Sequence, residues 1–277
     1  MRKSLNILWQ DELLRRYTLK QNHNRQDFED LRSADWKYYL PNSNCKSALV
    51  FGSGLGTVPI ALADYYKNIS VLDSDSEKIS LLKSRTKFHP SANINTFLKS
   101  SIKKLPFRSK SFDLVFWNAD NSFDSSLSIQ NLTKHISNYV KDDGVLCMSL
   151  QNYYSLVDRV SFSSRLINNS SIKLNQCRSL LNKFSFELIC ILSPLPHFKG
   201  IPLFYVPIDN SDCLNYFLRV LSVRLLGISP ELKQSYKFEY FFTKIIIMVC
   251  KILPLGSIIK YFLPGYMIIA KKIKNDS

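Results

Sequence analysis

The sequence predicts an α/β fold, a mostly parallel sheet with helices on both faces, and three observations predict it. An apolar run, Ala48-Leu-Val-Phe51, ends in three alternate glycines, Gly52, Gly54 and Gly56. Seventeen residues after Gly56, Asp73 closes a second apolar run. Beyond it, short apolar runs keep alternating with helical patterns, the arrangement expected of a parallel sheet with its ligand cleft at the strands' carboxyl ends.

The elements follow in order. Residues 1–44 read as helical and polar, with Leu13, Leu14 and Tyr17 at helical spacing. Asp30–Leu40 adds Trp36, Tyr38 and Tyr39 and ends at Pro41. Ala48–Phe51 is the first strand, and Thr57–Tyr66 the first helix, with Pro59 in its opening turn where a missing N–H is harmless. Ile69–Leu72 is the second strand. Ser76 is read as the N-cap of the second helix. Ile94–Leu98 and Phe112–Trp117 are strands three and four. A helix follows over about Ser126–Val140, then a turn at Asp142-Asp143-Gly144 and a fifth strand, Val145–Leu150.

The glycines and the acid carry the chemistry. Glycine lets the backbone approach a ligand closely, and the helix that follows directs its N–H groups at it. A carboxylate beyond the second strand can accept hydrogen bonds from ribose hydroxyls. Together they point to a ligand carrying an adenosine. The dinucleotide fingerprint G-x-G-x-x-G is not matched, because Thr57 stands where its last glycine belongs. No paired Tyr/Lys motif accompanies the turn either, so a nicotinamide-linked oxidoreductase is disfavoured.

Gly52-Ser-Gly54-Leu-Gly56 with Asp73 resembles the class I S-adenosylmethionine-dependent methyltransferases, of the type 11 kind. Ser101-Ile-Lys-Lys-Leu105-Pro-Phe107 followed by Ser111-Phe112-Asp113 resembles that family's entry into its fourth strand. Tyr139-Val-Lys-Asp-Asp-Gly144-Val-Leu-Cys-Met-Ser-Leu150 resembles its turn and fifth strand. The resemblance implies a Rossmann-like seven-stranded methyltransferase sheet with a helical insertion before the last strand. Gln176–Phe184 and Ser185–Leu192 fit its fifth helix and sixth strand, and Gly265–Lys271 its antiparallel seventh strand. It also implies a cofactor, S-adenosyl-L-methionine. Gly52, Ser53, Gly54 and Gly56 would line the methionine and ribose portion, Asp73 would take the ribose hydroxyls, and Ser74 would lie beside the adenine. Ser101 and Ile102 stand at the adenine edge, and Asn118 would face the cofactor's amino-acid end. Two positions depart from the pattern. Many relatives carry an acid where this chain has Val50, and Asp where it has Ser101; a hydroxyl accepts more weakly than a carboxylate.

The resulting organisation is an N-terminal helical segment over 1–44, a cofactor-binding core over 45–192, an insertion over 193–263 and a last strand with a polar tail over 264–277. The first segment either lies over the cleft as a lid or packs on the sheet edge. The insertion is too long for a loop and too apolar for disorder. Pro194–Pro207 is extended and aromatic, and Asp212 caps a helix with Leu214, Phe217, Leu218, Leu221 and Leu225 on one face. A later helix carries Lys237, Lys244 and Lys251 at seven-residue intervals as one basic stripe, and its other faces are very apolar, with Phe241, Phe242, Ile245, Ile246, Ile247, Met248 and Val249. It is read either as an interfacial helix giving peripheral membrane contact through 237–251 or as a packed helix with snorkelling lysines. No apolar run reaches the roughly 18 residues of a membrane span.

The net charge is +15, with nine Lys or Arg and no carboxylate between Lys78 and Lys110. That stretch is either a solvated basic face or an attractant for an anionic substrate, nucleic acid or lipid surface; no nucleic-acid module accompanies it, so nucleic acid is not favoured. The six scattered cysteines and four lone histidines show no metal-ligand spacing, and the thiols read as buried and reduced. With no secretory h-region, the expected location is cytoplasmic, peripheral at the membrane if the helix docks.

The expected activity is methyl transfer to a small molecule or a glycan- or lipid-linked intermediate. The alternative is a non-catalytic scaffold of the same fold that binds an anionic partner. Methyl transfer is dominated by positioning, so no unique catalytic motif is required. An oxygen acceptor would use a general base, and His197 and Asp120 are the candidates. The acceptor atom and the oligomeric state are not encoded in any motif.

Overall fold

The computed structural model describes residues 32–41, 46–87, 93–99, 101–102, 105–118, 127–152, 172–195, 204–209 and 265–274, and single positions 214, 241, 245, 248, 258, 260, 261 and 263. Leu13, Leu14, Tyr17, Asp120, His197 and the lysines at 237, 244 and 251 lie outside them.

The chain forms β1 (Ser47–Phe51), α1 (Thr57–Leu62), β2 (Asn68–Asp73), α2 (Ser76–Thr86), β3 (Ile94–Leu98), β4 (Phe112–Asn118) and α3 (Ile129–Ser137). It continues with β5 (Val140–Gln151), α4 (Leu174–Lys183), β6 (Phe186–Leu195), β7 (Phe204–Pro207) and β8 (Gly265–Lys272). The order across the sheet is β3-β2-β1-β4-β5-β8-β6-β7. Strands β1 to β5 pair in parallel, and β8 runs antiparallel to both β5 and β6.

The sheet therefore has eight strands where seven were expected. Strand β6 runs three residues past Leu192, and β7 pairs antiparallel to it from Leu192↔Pro207 to Leu195↔Phe204. The extended aromatic segment assigned to the insertion is thus partly sheet. Its prolines suit this place, because an edge strand tolerates a residue that cannot donate to the ladder. A second correction concerns Asp142-Asp143-Gly144. These residues lie inside β5, where the β4–β5 register shifts between Phe112 and Leu114 and Asp143 has φ 62°. The turn chemistry was legible, but the paired neighbour absorbs it as a bulge.

Caps explain the helix starts. Asp75, and not Ser76, caps α2: its carboxylate accepts from the Glu77 and Lys78 N–H groups. Ser128 Oγ accepts from the Asn131 N–H and starts α3. Both caps satisfy N–H groups that have no partner within the helix.

The core lies on both faces of the sheet. Leu49, Phe51, Leu72, Trp117 and Met148 join Leu132 and Ile136 of α3 and Leu181 of α4 in one buried cluster. Val50, Ile69, Val71 and Phe116 join Ile60 and Leu62 of α1 and Leu82 of α2 in the other. The 3-10 helix Arg32–Tyr39 packs in this second layer, where Trp36 stacks on Phe116 with ring centroids 4.9 Å apart. Tyr39 Oη donates to the Tyr205 carbonyl of β7 at 3.1 Å. At the opposite end of the strands, Asp113 accepts from the Lys46 N–H, the Ser47 N–H and hydroxyl, and Lys141 Nζ, at 2.8–3.0 Å. One carboxylate so ties the starts of β1, β4 and β5 together.

Candidate active site

The strand order reverses direction between β1 and β4, because β2 and β3 lie on one side of β1 and β4 and β5 on the other. In open α/β sheets a ligand crevice forms outside the carboxyl ends of the strands at this point. Register places the expected residues there. Phe51 pairs with Leu72 and with Trp117, so Gly52, Asp73 and Asn118 come next along β1, β2 and β4, and Asn118 pairs with Ser149.

The loop after β1 is a sharp bend held by short hydrogen bonds. The Gly52 N–H donates to the Leu72 carbonyl at 2.7 Å, and the Gly56 N–H to the Ser53 carbonyl at 2.8 Å. Two glycines are required for different reasons. Gly54 has φ +53°, and a Cβ added there would meet nothing within 4 Å, so the backbone lies open to a ligand. Gly56 has φ +88°, and its Cβ would come within 3.1 Å of Leu82 Cδ1 on α2. That position serves helix packing, and α1 begins directly after it.

Asp73 is buried and faces this loop. Its Oδ2 accepts from the Ser53 N–H and from Ser53 Oγ, both at 2.7 Å. Its Oδ1 accepts from the Asp75 N–H at 2.9 Å. Ser74 beside it is exposed, Ser101 is half-buried, and Ile102 is buried in the α3-side core cluster. Gly52, Ser53, Gly54, Gly56 and Asp73 thus form one unit. Asn118 ends β4 at the same level, whereas the base candidates Asp120 and His197 lie outside the described residues.

Sequence reasoning missed two participants. Arg85 was counted in the basic stretch, but its side chain is buried: Nη1 donates to the Leu55 carbonyl at 2.5 Å and approaches Thr57 Oγ1 at 3.4 Å. It braces the glycine loop from behind. The signal was its spacing, since Arg85 falls three residues after Leu82 on the apolar face of α2. Trp117 is the second. Among the described residues its Nε1 is buried with no hydrogen-bond partner, one level below Asn118. Burial, and secondarily Asp35 nearby, pushes the Tyr205 phenol up.

Residues 49–148 match the methyltransferase domain family. No curated protein matches the chain by sequence. Solved structures share its fold. The YcgJ protein of Bacillus subtilis superposes with a TM-score of 0.51 at 13% identity, over 88% of this chain and 99% of that one. A chain of the Haloferax volcanii complex of the Trm112 methyltransferase activator gives 0.56 at 12% identity, over 99% and 100%. Phosphoethanolamine N-methyltransferase 1 of Haemonchus contortus, in complex with phosphoethanolamine and S-adenosylhomocysteine, gives 0.53 at 15% identity. That match covers 98% of this chain and 50% of that one. The matched residues begin within β1 and end within β5, so they include the glycine loop and Asp73.

Proposed function

We propose that the chain is an S-adenosylmethionine-dependent methyltransferase acting on a small molecule or on a glycan- or lipid-linked acceptor. The observation that carries this reading is the glycine loop at the switch point, open at Gly54 and stapled to Asp73.

The donor set fits an adenosyl group. A carboxylate offers about four acceptor positions, and Asp73 uses three of them on Ser53 and Asp75. Rotation of the Ser53 hydroxyl releases a second position, so two would face the two donors of a ribose diol. The Ser53 and Asp75 N–H groups would keep the carboxylate in place during that exchange. Gly54 and the start of α1 would lie along the cofactor's methionine portion, and Ser101 and Ile102 beside its adenine. Bound there, the cofactor supplies an activated methyl group. The chain's own contribution is alignment of the acceptor and exclusion of water, which suffices for most of the rate in such a displacement. Asp120 and His197 are the groups proposed to take a proton from an oxygen acceptor.

One observation favours the rival, a non-catalytic scaffold. Asp73 is already satisfied within the fold, and Val50, where relatives carry an acid, is buried in the core and brings no charge to the cleft. Titration calorimetry with S-adenosylhomocysteine separates the two. Binding by wild type and its loss in Gly54→Val support the enzyme. No heat at millimolar ligand, with a folded wild-type protein, refutes it in favour of the scaffold.

A further inference from the structure

On the functional reading above, on which this step rests, the order of the strands fixes the direction of the cofactor's base. Gly54, after β1, and Asn118, at the end of β4, face the methionine portion, and Asp73, at the end of β2, takes the ribose. A nucleoside carries its base and its 5′ substituent at opposite ends of the sugar ring. The order β3-β2-β1-β4 therefore sends the base toward the carboxyl end of β3.

Leu98 ends β3. It pairs in register with Asp73, and the Lys99 N–H donates to the Asp73 carbonyl at 2.9 Å, so the two strand ends are held side by side. Neighbouring strands lie about 4.8 Å apart, and side chains alternate between the two faces of a sheet. Phe97 packs against the cluster on the α3 side, and Ile94 against the cluster on the α1 and α2 side. Leu98 follows Phe97 by one residue and Ile94 by four, so it belongs to the α2 face. It is nevertheless 57% exposed.

The residues expected beside the base leave an apolar contact unfilled. Ser74 is exposed but polar, and Ser101 is a half-buried hydroxyl. Ile102 is apolar, but only 1% of its surface is free, because it is committed to the core cluster with Leu72 and Trp117. It can border a base without offering it a face. Among the described residues at the ends of β2 and β3, Leu98 is the large apolar side chain left exposed. We propose that Leu98 is the adenine platform of this chain, packing its side chain against one face of the purine. A flat aromatic base laid on an exposed leucine removes apolar area of both partners from water. That term is independent of the hydrogen bonds that Asp73 makes to the sugar, so the two can be separated by substitution.

The test uses S-adenosylhomocysteine as the probe on the full chain. Leucine methyl NMR of the wild type is recorded with and without it, and the Leu98 signals are assigned by their absence from Leu98→Met. The purine ring current should move those signals upfield on binding. By calorimetry, Leu98→Ser should bind about five- to tenfold more weakly than wild type, and Leu98→Met, which keeps the apolar volume, should bind nearly as well as wild type. Because the side chain is exposed, the melting temperature of Leu98→Ser should stay close to that of wild type. Heat of binding without movement of the Leu98 methyl signals overturns the platform and leaves the methyltransferase reading standing. A folded Leu98→Ser protein with wild-type affinity does the same. No heat with the folded wild type removes the methyltransferase reading itself, and the platform with it.

Discussion

Asp73→Asn isolates the charge at the centre of the proposed site while keeping the side chain's shape. The wild-type carboxylate accepts three hydrogen bonds at 2.7–2.9 Å in a buried position. Hydrogen bonds to a charged group contribute about 1.5–3 kcal/mol each. The amide keeps one acceptor oxygen and turns an NH2 group toward former donors. Loss of one to two bonds is expected, a destabilisation of about 2–4 kcal/mol. At about 2–4 °C per kcal/mol for a chain of this size, the melting temperature should fall by roughly 10 °C. Affinity for S-adenosylhomocysteine should fall by about 1–3 kcal/mol, or roughly 5- to 150-fold, because the ribose diol loses a charged acceptor. Ser53→Ala supplies the opposite sign. It removes the hydroxyl that competes for Oδ2 and frees an acceptor position, so affinity should hold or rise while stability drops by about 1 kcal/mol. Calorimetry and thermal denaturation on the two variants give both quantities. A folded Asp73→Asn protein that binds the ligand like wild type refutes the ribose assignment.

Three further outcomes follow from the geometry. Arg85→Met removes the donor to the Leu55 carbonyl behind the glycine loop, so KM for the cofactor should rise with kcat little changed; a fall in kcat alone would contradict a bracing role. Trp117→Phe deletes an N–H that has no partner among the described residues, so the gain from removing an orphan donor offsets the lost volume, and denaturant unfolding should lie within about 1.5 kcal/mol of wild type; a loss above about 3 kcal/mol would mean that the N–H is bonded in solution. Asp113 is subject to burial, which by itself raises a carboxyl, but bonds from Lys141, Ser47 and Lys46 outweigh it and hold its pKa below the ordinary value. A depressed folded-state pKa stabilises the fold above the unfolded value of about 3.9 and loses that contribution as pH falls through the folded value. Asp113→Asn should therefore be less stable than wild type at pH 7, and the gap should close in acid; a gap independent of pH would refute this account.

Sequence alone determined the alternation of strands and helices, the glycine bend and the acid that follows it. Each is local: apolar period, turn residues and caps act within a few positions of the chain. Ile94–Leu98 was placed to the residue, because its pattern had no competitor. Pairing decided what the local signals could not. Asp142-Asp143-Gly144 has turn chemistry and became a bulge because β4 lies beside it. Phe204–Pro207 became a strand because β6 offered an open edge. The same holds within the site. Asp73 could be named from its position at the end of β2, but its staple to Ser53, twenty residues away in the chain, exists only in the fold. Arg85 left the solvated face for the back of the loop for the same reason: burial is a property of what packs against a residue, and packing is assembled from parts of the chain that carry no common local pattern.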